Sequence, residues 1–498
     1  MTRSAESIAR FRNDVRSAVF WRSGSQIAAQ AIAWLSTFAV IRILSPTDYG
    51  LYAITGVVMS LLSQLNGYAL ANAYVRDRDA GERTLRQLFG MLIVLNAVLA
   101  AIQVAAAPWV AQFYHEPLVA DMLRVQALIY FTNPFLAFGY AVLARKLDFR
   151  LQSHVNIVSA LLGAVAALAG ALGGLGVWTL VLAPMVLFST RAFGMWFVAR
   201  TFVRPSFDFA GGWHLANYGG MVTAASLLWF VQSQADVIIA GRATSPYWLG
   251  VYTTALFLAQ IFVTKVVPPI NEVAFTAYAR IQDDPGILSR AFLTSVRLVM
   301  VAAMPFCLGM AASAQPLVLF ALGEKWSQAV PLVRMLAMAM PFMTLFVLFA
   351  PAVSAVGRPG LATANAAVGA IVMPVAFLVG SGFGVFGIAA AWLVAYPLLT
   401  LFAAGISLPA IGVTKRELVR AVLPPVVAAV TMATGVWALD GMVAERPALV
   451  RLAIIGPAGG AIYFGLLWMF ARERLLEPIG FLRNRGSNPP EGMPTPAE

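Results

Sequence analysis

Apolar residues run along this chain in long segments that short polar turns separate. Many segments approach the roughly 20 residues that an α-helix needs to cross the hydrocarbon core of a bilayer. By this rule the pattern predicts about fourteen membrane-spanning helices. The predicted spans are 17–42, 50–73, 86–110, 118–143, 152–176, 178–200, 215–241, 248–270, 288–314, 328–355, 361–381, 384–408, 418–438 and 448–470.

The composition favours lipid as the solvent of these segments. Hydrophobic residues make up 60% of the chain and charged residues only 11%, whereas charged residues are about a quarter of a typical soluble protein. We therefore predict an all-α integral membrane protein. Its expected parts are a six-helix N-lobe at 1–208, a six-helix C-lobe at 209–410, a helix pair at 411–475 and a cytoplasmic tail at 476–498.

The positive charge predicts an orientation. The formal net charge is +12, which on a soluble protein would indicate nucleic acid. Here the basic residues lie between apolar runs, with about 23 on the side of the N-terminus and about five on the other side, as the positive-inside rule requires. The five are Arg42, Arg242, Lys325, Arg446 and Arg451. We expect both termini in the cytoplasm, an inner-membrane location, membrane lipids as partners and no nucleic acid.

One short motif occurs twice, 200 residues apart. Arg42, Ser45, Pro46, Gly50 and Tyr52 recur as Arg242, Ser245, Pro246, Gly250 and Tyr252. Each copy follows a span that is expected to start inside, so the two lobes are predicted to be parallel repeats. Ser-Pro begins a helix well, and a glycine one turn later lets another helix approach. A tight hairpin is the favoured role of the motif, and a binding site is the alternative.

The same residues resemble a known family. The run Arg42–Tyr52 resembles the signature of the polysaccharide-transport flippases, which belong to the multidrug/oligosaccharidyl-lipid/polysaccharide exporter superfamily. The run Gln234–Arg242, with Gly250 and Tyr252, resembles the seventh helix of that family and the turn after it. The resemblance covers roughly 17–470. It implies a V-shaped cavity between the lobes, like that of the superfamily's drug transporters, which opens alternately to each side.

The resemblance also implies a substrate and partners. The family moves undecaprenyl-diphosphate-linked oligosaccharide from the inner to the outer leaflet, for exopolysaccharide, capsule or O-antigen synthesis. A polysaccharide polymerase and a chain-length regulator are the implied protein partners.

Charges inside predicted spans are candidate functional groups, because each costs a few kcal/mol on insertion scales. The basic ones are Arg22, Arg191, Lys265 and Arg297. They are predicted to line a cavity that accepts a lipid diphosphate, since arginine binds phosphate oxygens bidentately and lysine adds a point charge. Alternatively, Arg22 and Arg297 reach the interface by snorkelling, and Lys265 pairs with Glu272. Arg191 lies too deep to snorkel easily.

Asp236 is the clearest acidic residue within a predicted span. It is either a coupling carboxylate for H⁺ or Na⁺ or a structural partner of Arg242 or another cation, and the second role is slightly favoured. Gln232 lies one turn before it on the same helix face, and Gln26 and Gln30 have the same spacing on the first span. These glutamines are predicted to line the interior, where they bind sugar or join helices.

The motifs do not favour an enzyme. Asp77 and Asp79 have the spacing of a glycosyltransferase carboxylate pair, but they lie in a loop of about a dozen residues. His115-Glu116 lacks the second histidine of a zinc-binding helix, and Cys307 lies in an apolar run. No metal or cofactor is expected apart from a coupling ion. The alternatives are a drug or cation antiporter of the same superfamily and an integral-membrane polymerase or ligase.

Overall fold

The computed structural model describes Gly24, Gln26 and residues 28–65, 67–76, 81–145, 149–208 and 229–483. Within those ranges all regular secondary structure is helical. Eleven helical segments of the described residues, each made of one helix or of two consecutive helices, are long and apolar enough to cross a membrane. The prediction of an all-α, multi-pass membrane protein is therefore confirmed, and the count of fourteen spans stays a prediction.

Nine helices are described in the first part of the chain. They are α1 (Ala28–Ile43), α2 (Pro46–Ser63), α3 (Tyr68–Arg76), α4 (Glu82–Tyr114), α5 (Leu118–Gln126), α6 (Ile129–Arg145), α7 (Phe149–Leu172), α8 (Val177–Ala199) and α9 (229–243). The predicted span 50–73 is interrupted, because Gly67 has a φ of +93° between α2 and α3. A left-handed residue ends regular helix, and glycine adopts that conformation without steric cost.

Ten helices are described in the second part. They are α10 (Pro246–Lys265), α11 (Val267–Arg280), α12 (Pro285–Ala312), α13 (Ala314–Ala321), α14 (Ala329–Val347), α15 (Phe349–Ala355), α16 (Pro359–Ser381), α17 (Gly384–Ile411), α18 (Lys415–Met442) and α19 (Ala448–Arg483). A short 3₁₀ turn, Glu324–Trp326, precedes α14. The helix breaks before Pro268, as expected of a residue that fits the first turn of a helix but not its interior.

The described residues form two compact units. The first contains the described residues up to Thr254 together with Ala321–Gln328 and Gly369–Ala391. The second contains Ala255–Phe320, Ala329–Val368 and the described residues from Trp392 onward. The lobe boundaries near 208 and 410 stay a prediction.

Each unit has a close-packed apolar interior. In the first unit, Gly139 of α6 admits the backbone of α8 at Met195, where a Cβ would meet the Met195 carbonyl group. In the second unit, the rings of Phe292 and Phe349 pack at a centroid distance of 5.7 Å. Many large apolar side chains point outward instead, including Met442 at 83% exposed. Outward apolar faces of this extent are expected where helices meet lipid rather than water.

Candidate functional site

The first copy of the repeated motif builds a helix start. Ser45 caps α2, since its Oγ accepts a hydrogen bond from the Asp48 backbone N–H at 3.2 Å. In return the Asp48 carboxylate accepts from the Ser45 backbone N–H at 2.9 Å. Two N–H groups that a helix start leaves without partners are satisfied in this way. In the second copy Trp248 stands where Asp48 stands in the first, and α10 likewise begins at the proline, Pro246.

The two copies of the motif contact each other through their glycines. A Cβ on Gly50 would collide with the backbone carbonyl of Pro246, and a Cβ on Gly250 would collide with that of Pro46. The close approach therefore requires glycine in both copies. The contact is also reciprocal, as a two-fold relation between the copies requires. We call this contact the motif crossing.

Asp236 lies on α9 beside the second copy. The Tyr252 hydroxyl donates a hydrogen bond of 2.7 Å to Oδ2 of Asp236, and the two residues are 0% and 1% exposed. The other carboxylate oxygen, Oδ1, is buried and accepts no hydrogen bond from the described residues. The Arg242 guanidinium lies over the ring of Phe113 at 6.0 Å. Its described partner is thus an aromatic ring, and Asp236 has a phenol as partner.

Gln232 is buried one helical turn before Asp236 and is 1% exposed. Neither its amide nitrogen nor its amide oxygen has a hydrogen-bond partner among the described residues. The carboxamide packs on the backbone of α16, where a Cβ on Gly369 would collide with it. Because buried amides are nearly always hydrogen-bonded, Gln232 and Oδ1 of Asp236 are the groups on α9 that an ion, water or substrate hydroxyl would satisfy.

The first copy lacks this carboxylate. At the same offset of 200 residues, Ser36 stands where Asp236 stands, while Tyr52 matches Tyr252. Ser36 is buried at 8% exposed. The repeat is therefore symmetric at the motif crossing and asymmetric in ionisable groups.

The predicted cavity cations lie in different parts of the chain. Arg22 is outside the described residues. Arg191 is half-buried on α8, in the first unit. In the second unit, Lys265 is exposed at the end of α10, and Arg297 is half-buried on α12, where it donates a hydrogen bond to Thr294 at 3.0 Å. Their common role in a basic cavity stays a prediction.

The other predicted polar residues have equally varied surroundings. Gln26 is exposed and Gln30 is half-buried, so the buried polar stripe consists of Gln232 and Asp236. Arg42, the first residue of the motif, is exposed. The proposed roles of both glutamines on the first span stay predictions. Asp77 and Asp79 lie outside the described residues.

A buried ion pair in the second unit escaped the sequence reasoning. Arg451, counted among the outer cations, is 4% exposed and binds Asp440 bidentately, with Nε to Oδ1 at 2.9 Å and Nη2 to Oδ2 at 2.7 Å. Gln315 accepts a longer contact from Nη2 at 3.5 Å. The sequence feature that indicates this pair is the presence of opposite charges, Asp440 and Arg451, on either side of the last predicted turn. A count of charges does not detect pairing, because it treats each residue alone.

Comparison with known proteins identifies the family. Residues 39–331 match the family described as polysaccharide biosynthesis protein, which is more than half of the chain. The chain belongs to the polysaccharide biosynthesis protein family. The resemblance found in the repeated motif is thereby confirmed. The matched residues include the predicted spans from 50–73 to 288–314.

Curated relatives of this family member share low identity over long alignments. The succinoglycan biosynthesis transport protein ExoT of Rhizobium meliloti (strain 1021) is 24% identical over 465 residues, which cover 93% of this chain and 94% of ExoT. The lipopolysaccharide biosynthesis protein WzxC of Escherichia coli (strain K12) is 21% identical, with 64% and 65% covered. The teichuronic acid biosynthesis protein TuaB of Bacillus subtilis (strain 168) is 24% identical, with 53% and 55% covered.

Solved structures show the fold of the family member. The lipid II flippase MurJ, in an inward closed conformation, has a TM-score of 0.74 at 11% identity, with 91% of this chain and 99% of MurJ covered. A multidrug resistance transporter of the MATE family, described as a member of the MOP superfamily, has a TM-score of 0.58 at 13% identity, with 77% of this chain and 98% of that transporter covered. The fold is therefore that of the predicted exporter superfamily. ExoT, the relative aligned over most of this chain, carries the name of a transport protein, which supports a transporter over an enzyme.

Proposed function

We propose that the protein is a flippase for lipid-linked saccharide. It moves undecaprenyl-diphosphate-linked oligosaccharide from the cytoplasmic to the outer leaflet of the inner membrane, with both termini in the cytoplasm. The product serves exopolysaccharide, capsule or O-antigen synthesis, in company with a polymerase and a chain-length regulator. The observation that carries the proposal is the alignment with a succinoglycan transport protein over 93% of the chain.

The basic residues on spanning helices serve the headgroup in this proposal. Two phosphates must pass a medium in which an unpaired charge is costly. Arg191 on α8 and Arg297 on α12 offer guanidinium groups that bind phosphate oxygens in pairs. Lys265, the last residue of α10, adds a positive charge for the same phosphates. The polyprenyl tail needs no such partner, because it stays in lipid.

Asp236 is our candidate for coupling transport to an ion gradient. Its carboxylate is buried, one of its oxygens is held by Tyr252, and the other accepts no hydrogen bond from the described residues. A proton or Na⁺ at that oxygen would remove the cost of an unpaired buried charge. Neutral Asp236→Asn retains the shape of the side chain and its acceptor for Tyr252. We expect this variant to fold normally and to lose the response to an imposed H⁺ or Na⁺ gradient in proteoliposomes.

The proposal as a whole is tested by depletion. Polyprenyl-linked lipids are measured by mass spectrometry after the protein is removed, and their leaflet is determined in spheroplasts. We expect a diphosphate-linked oligosaccharide to accumulate on the cytoplasmic leaflet while surface polymer is lost. Accumulation on the outer leaflet would indicate a polymerase or ligase instead. No accumulation and no loss of polymer, in a strain without a second such gene, would favour a drug or cation antiporter.

A further inference from the structure

The turn between α13 and α14 has an unusual position in the fold. Ala321–Gln328 packs in the first compact unit, whereas the chain on either side of it, Ala255–Phe320 and Ala329–Val368, belongs to the second. Gly323 turns the chain into this segment with a φ of +95°. The segment is thus packed in the first unit, while the chain that enters and leaves it belongs to the second.

Two neighbouring side chains of this turn bind the end of α1. Trp326 is fully buried, and its indole Nε1 donates a hydrogen bond of 3.0 Å to the carbonyl of Ile41. The Lys325 ammonium donates one of 2.8 Å to the carbonyl of Ile43. Carbonyls in the last turn of a helix have no partner within the helix. A positive charge is also favourable at that end of a helix.

The same turn contacts the first copy of the motif. The Trp326 ring meets the Tyr49 ring edge to face, with 5.6 Å between centroids. Partial burial lowers the pKa of Lys325, and the Asp48 carboxylate acts on it in the opposite direction. Lys325 and Trp326 therefore rest on α1 and on the start of α2, beside the motif crossing.

We propose that Lys325 and Trp326 form a releasable clasp on the end of α1, closed in one state of the transport cycle and open in another. The proposal rests on the proposed transport function. Any displacement of α13 or α14 during transport pulls on the turn that joins them. The clasp consists of one buried ring and two hydrogen bonds. So few contacts can shift the equilibrium between a closed and an open state without making either state permanent.

A reversible crosslink tests whether the clasp must open. The single cysteine, Cys307, is first replaced by serine. Ile43→Cys and Lys325→Cys are then introduced at two exposed positions and joined by a reducible bis-methanethiosulfonate reagent. We expect the crosslink to stop surface-polymer synthesis, with lipid-linked saccharide accumulating on the cytoplasmic leaflet, and reduction to restore both. Unchanged polymer synthesis with the crosslink in place would overturn the clasp.

Matched variants separate the possible causes of failure. Met442→Cys with Leu449→Cys carries the same crosslink across the exposed ends of α18 and α19 and should leave transport unchanged. If Lys325→Cys alone is inactive, Ile43→Cys with Glu324→Cys repeats the test with Lys325 and Trp326 intact. Failure of the proposed function is recognised separately, because depletion of the uncrosslinked parent would then cause no lipid-linked saccharide to accumulate.

Discussion

Tyr252, the last residue of the second copy of the repeated motif, donates a hydrogen bond of 2.7 Å from its hydroxyl to the buried carboxylate of Asp236. The motif thus has two tasks in the second copy. Gly250 makes the close backbone contact with Pro46, and Tyr252, two residues on, holds the candidate coupling group. In the first copy only the first task is present, because Ser36 replaces the carboxylate.

Tyr252→Phe should destabilise the protein more than Tyr463→Phe. Both hydroxyls are buried, but Tyr252 serves a carboxylate while Tyr463 donates to the carbonyl of Val301 at 2.9 Å. Hydrogen bonds to charged groups contribute about 1.5–3 kcal/mol and neutral ones about 0.5–1.5 kcal/mol. Thermal unfolding of the two purified variants measures the difference. Equal losses of stability would contradict a bond to a charged acceptor at Asp236.

We expect Gln232→Leu to lower the rate of transport. The same change should leave the stability of the protein unchanged or increase it. The Gln232 carboxamide makes no hydrogen bond with the described residues, so its removal leaves none of them without a partner. Transport should fall by roughly tenfold if the amide binds sugar or ion, which is the value of about one lost hydrogen bond. Transport at the parental rate would assign Gln232 to packing.

Gln103→Leu is the matched control for that variant. Gln103 is also fully buried, but its amide donates to the carbonyl of Leu123 at 2.8 Å and accepts from the Tyr130 hydroxyl at 3.0 Å. Leucine at this position leaves both groups unsatisfied, and we expect it to cost about 1–3 kcal/mol of stability. The pair of variants thus distinguishes a polar group that holds the fold from one that is free to act.

Gly50→Ala and Gly250→Ala should each destabilise the motif crossing. The added methyl group meets a backbone carbonyl that cannot rotate away, and overpacking of this kind costs about 1–3 kcal/mol or more. Gly56 of the same helix α2 has open space at its Cβ position. Gly56→Ala should therefore be neutral or stabilise by about 0.5–1 kcal/mol. Yield and unfolding temperature report both effects, and equal behaviour of Gly50→Ala and Gly56→Ala would contradict the crossing.

Arg451→Ala should be among the most destabilising single changes in the second unit. Removal of one member of a buried ion pair costs about 3–5 kcal/mol, whereas replacement of both by apolar residues is often neutral. We therefore expect Arg451→Met with Asp440→Leu to recover most of the loss. Arg124→Ala breaks an exposed pair with Asp121 and should cost about 0–1 kcal/mol. If the double variant is as unstable as Arg451→Ala, the loss of stability does not come from an unpaired Asp440, and the explanation is wrong.

Local chemistry explains which features could be predicted. Pro46 and Pro246 fix helix starts through their own rings, so the sequence alone indicates these two starts. Features that need a distant partner were missed. Nothing near Gln232 in sequence indicates that Gly369 covers it, and nothing in the turn at 324–326 indicates that Trp326 binds the end of α1. Those contacts depend on which helices become neighbours, which apolar patterning leaves open.

The motif crossing also constrains how the two halves of the chain can diverge. At Gly50 and Gly250 the neighbour is the backbone of the other copy, and a backbone carbonyl is the same for every amino acid. No substitution elsewhere can make room for a side chain there, so a change in one copy has no compensating change in the other. The two copies of the motif therefore keep the same residue, glycine, at the positions where they touch. At the corresponding positions 36 and 236 the residue types are free to differ, and Asp236 gives one copy an ionisable group that Ser36 does not give the other.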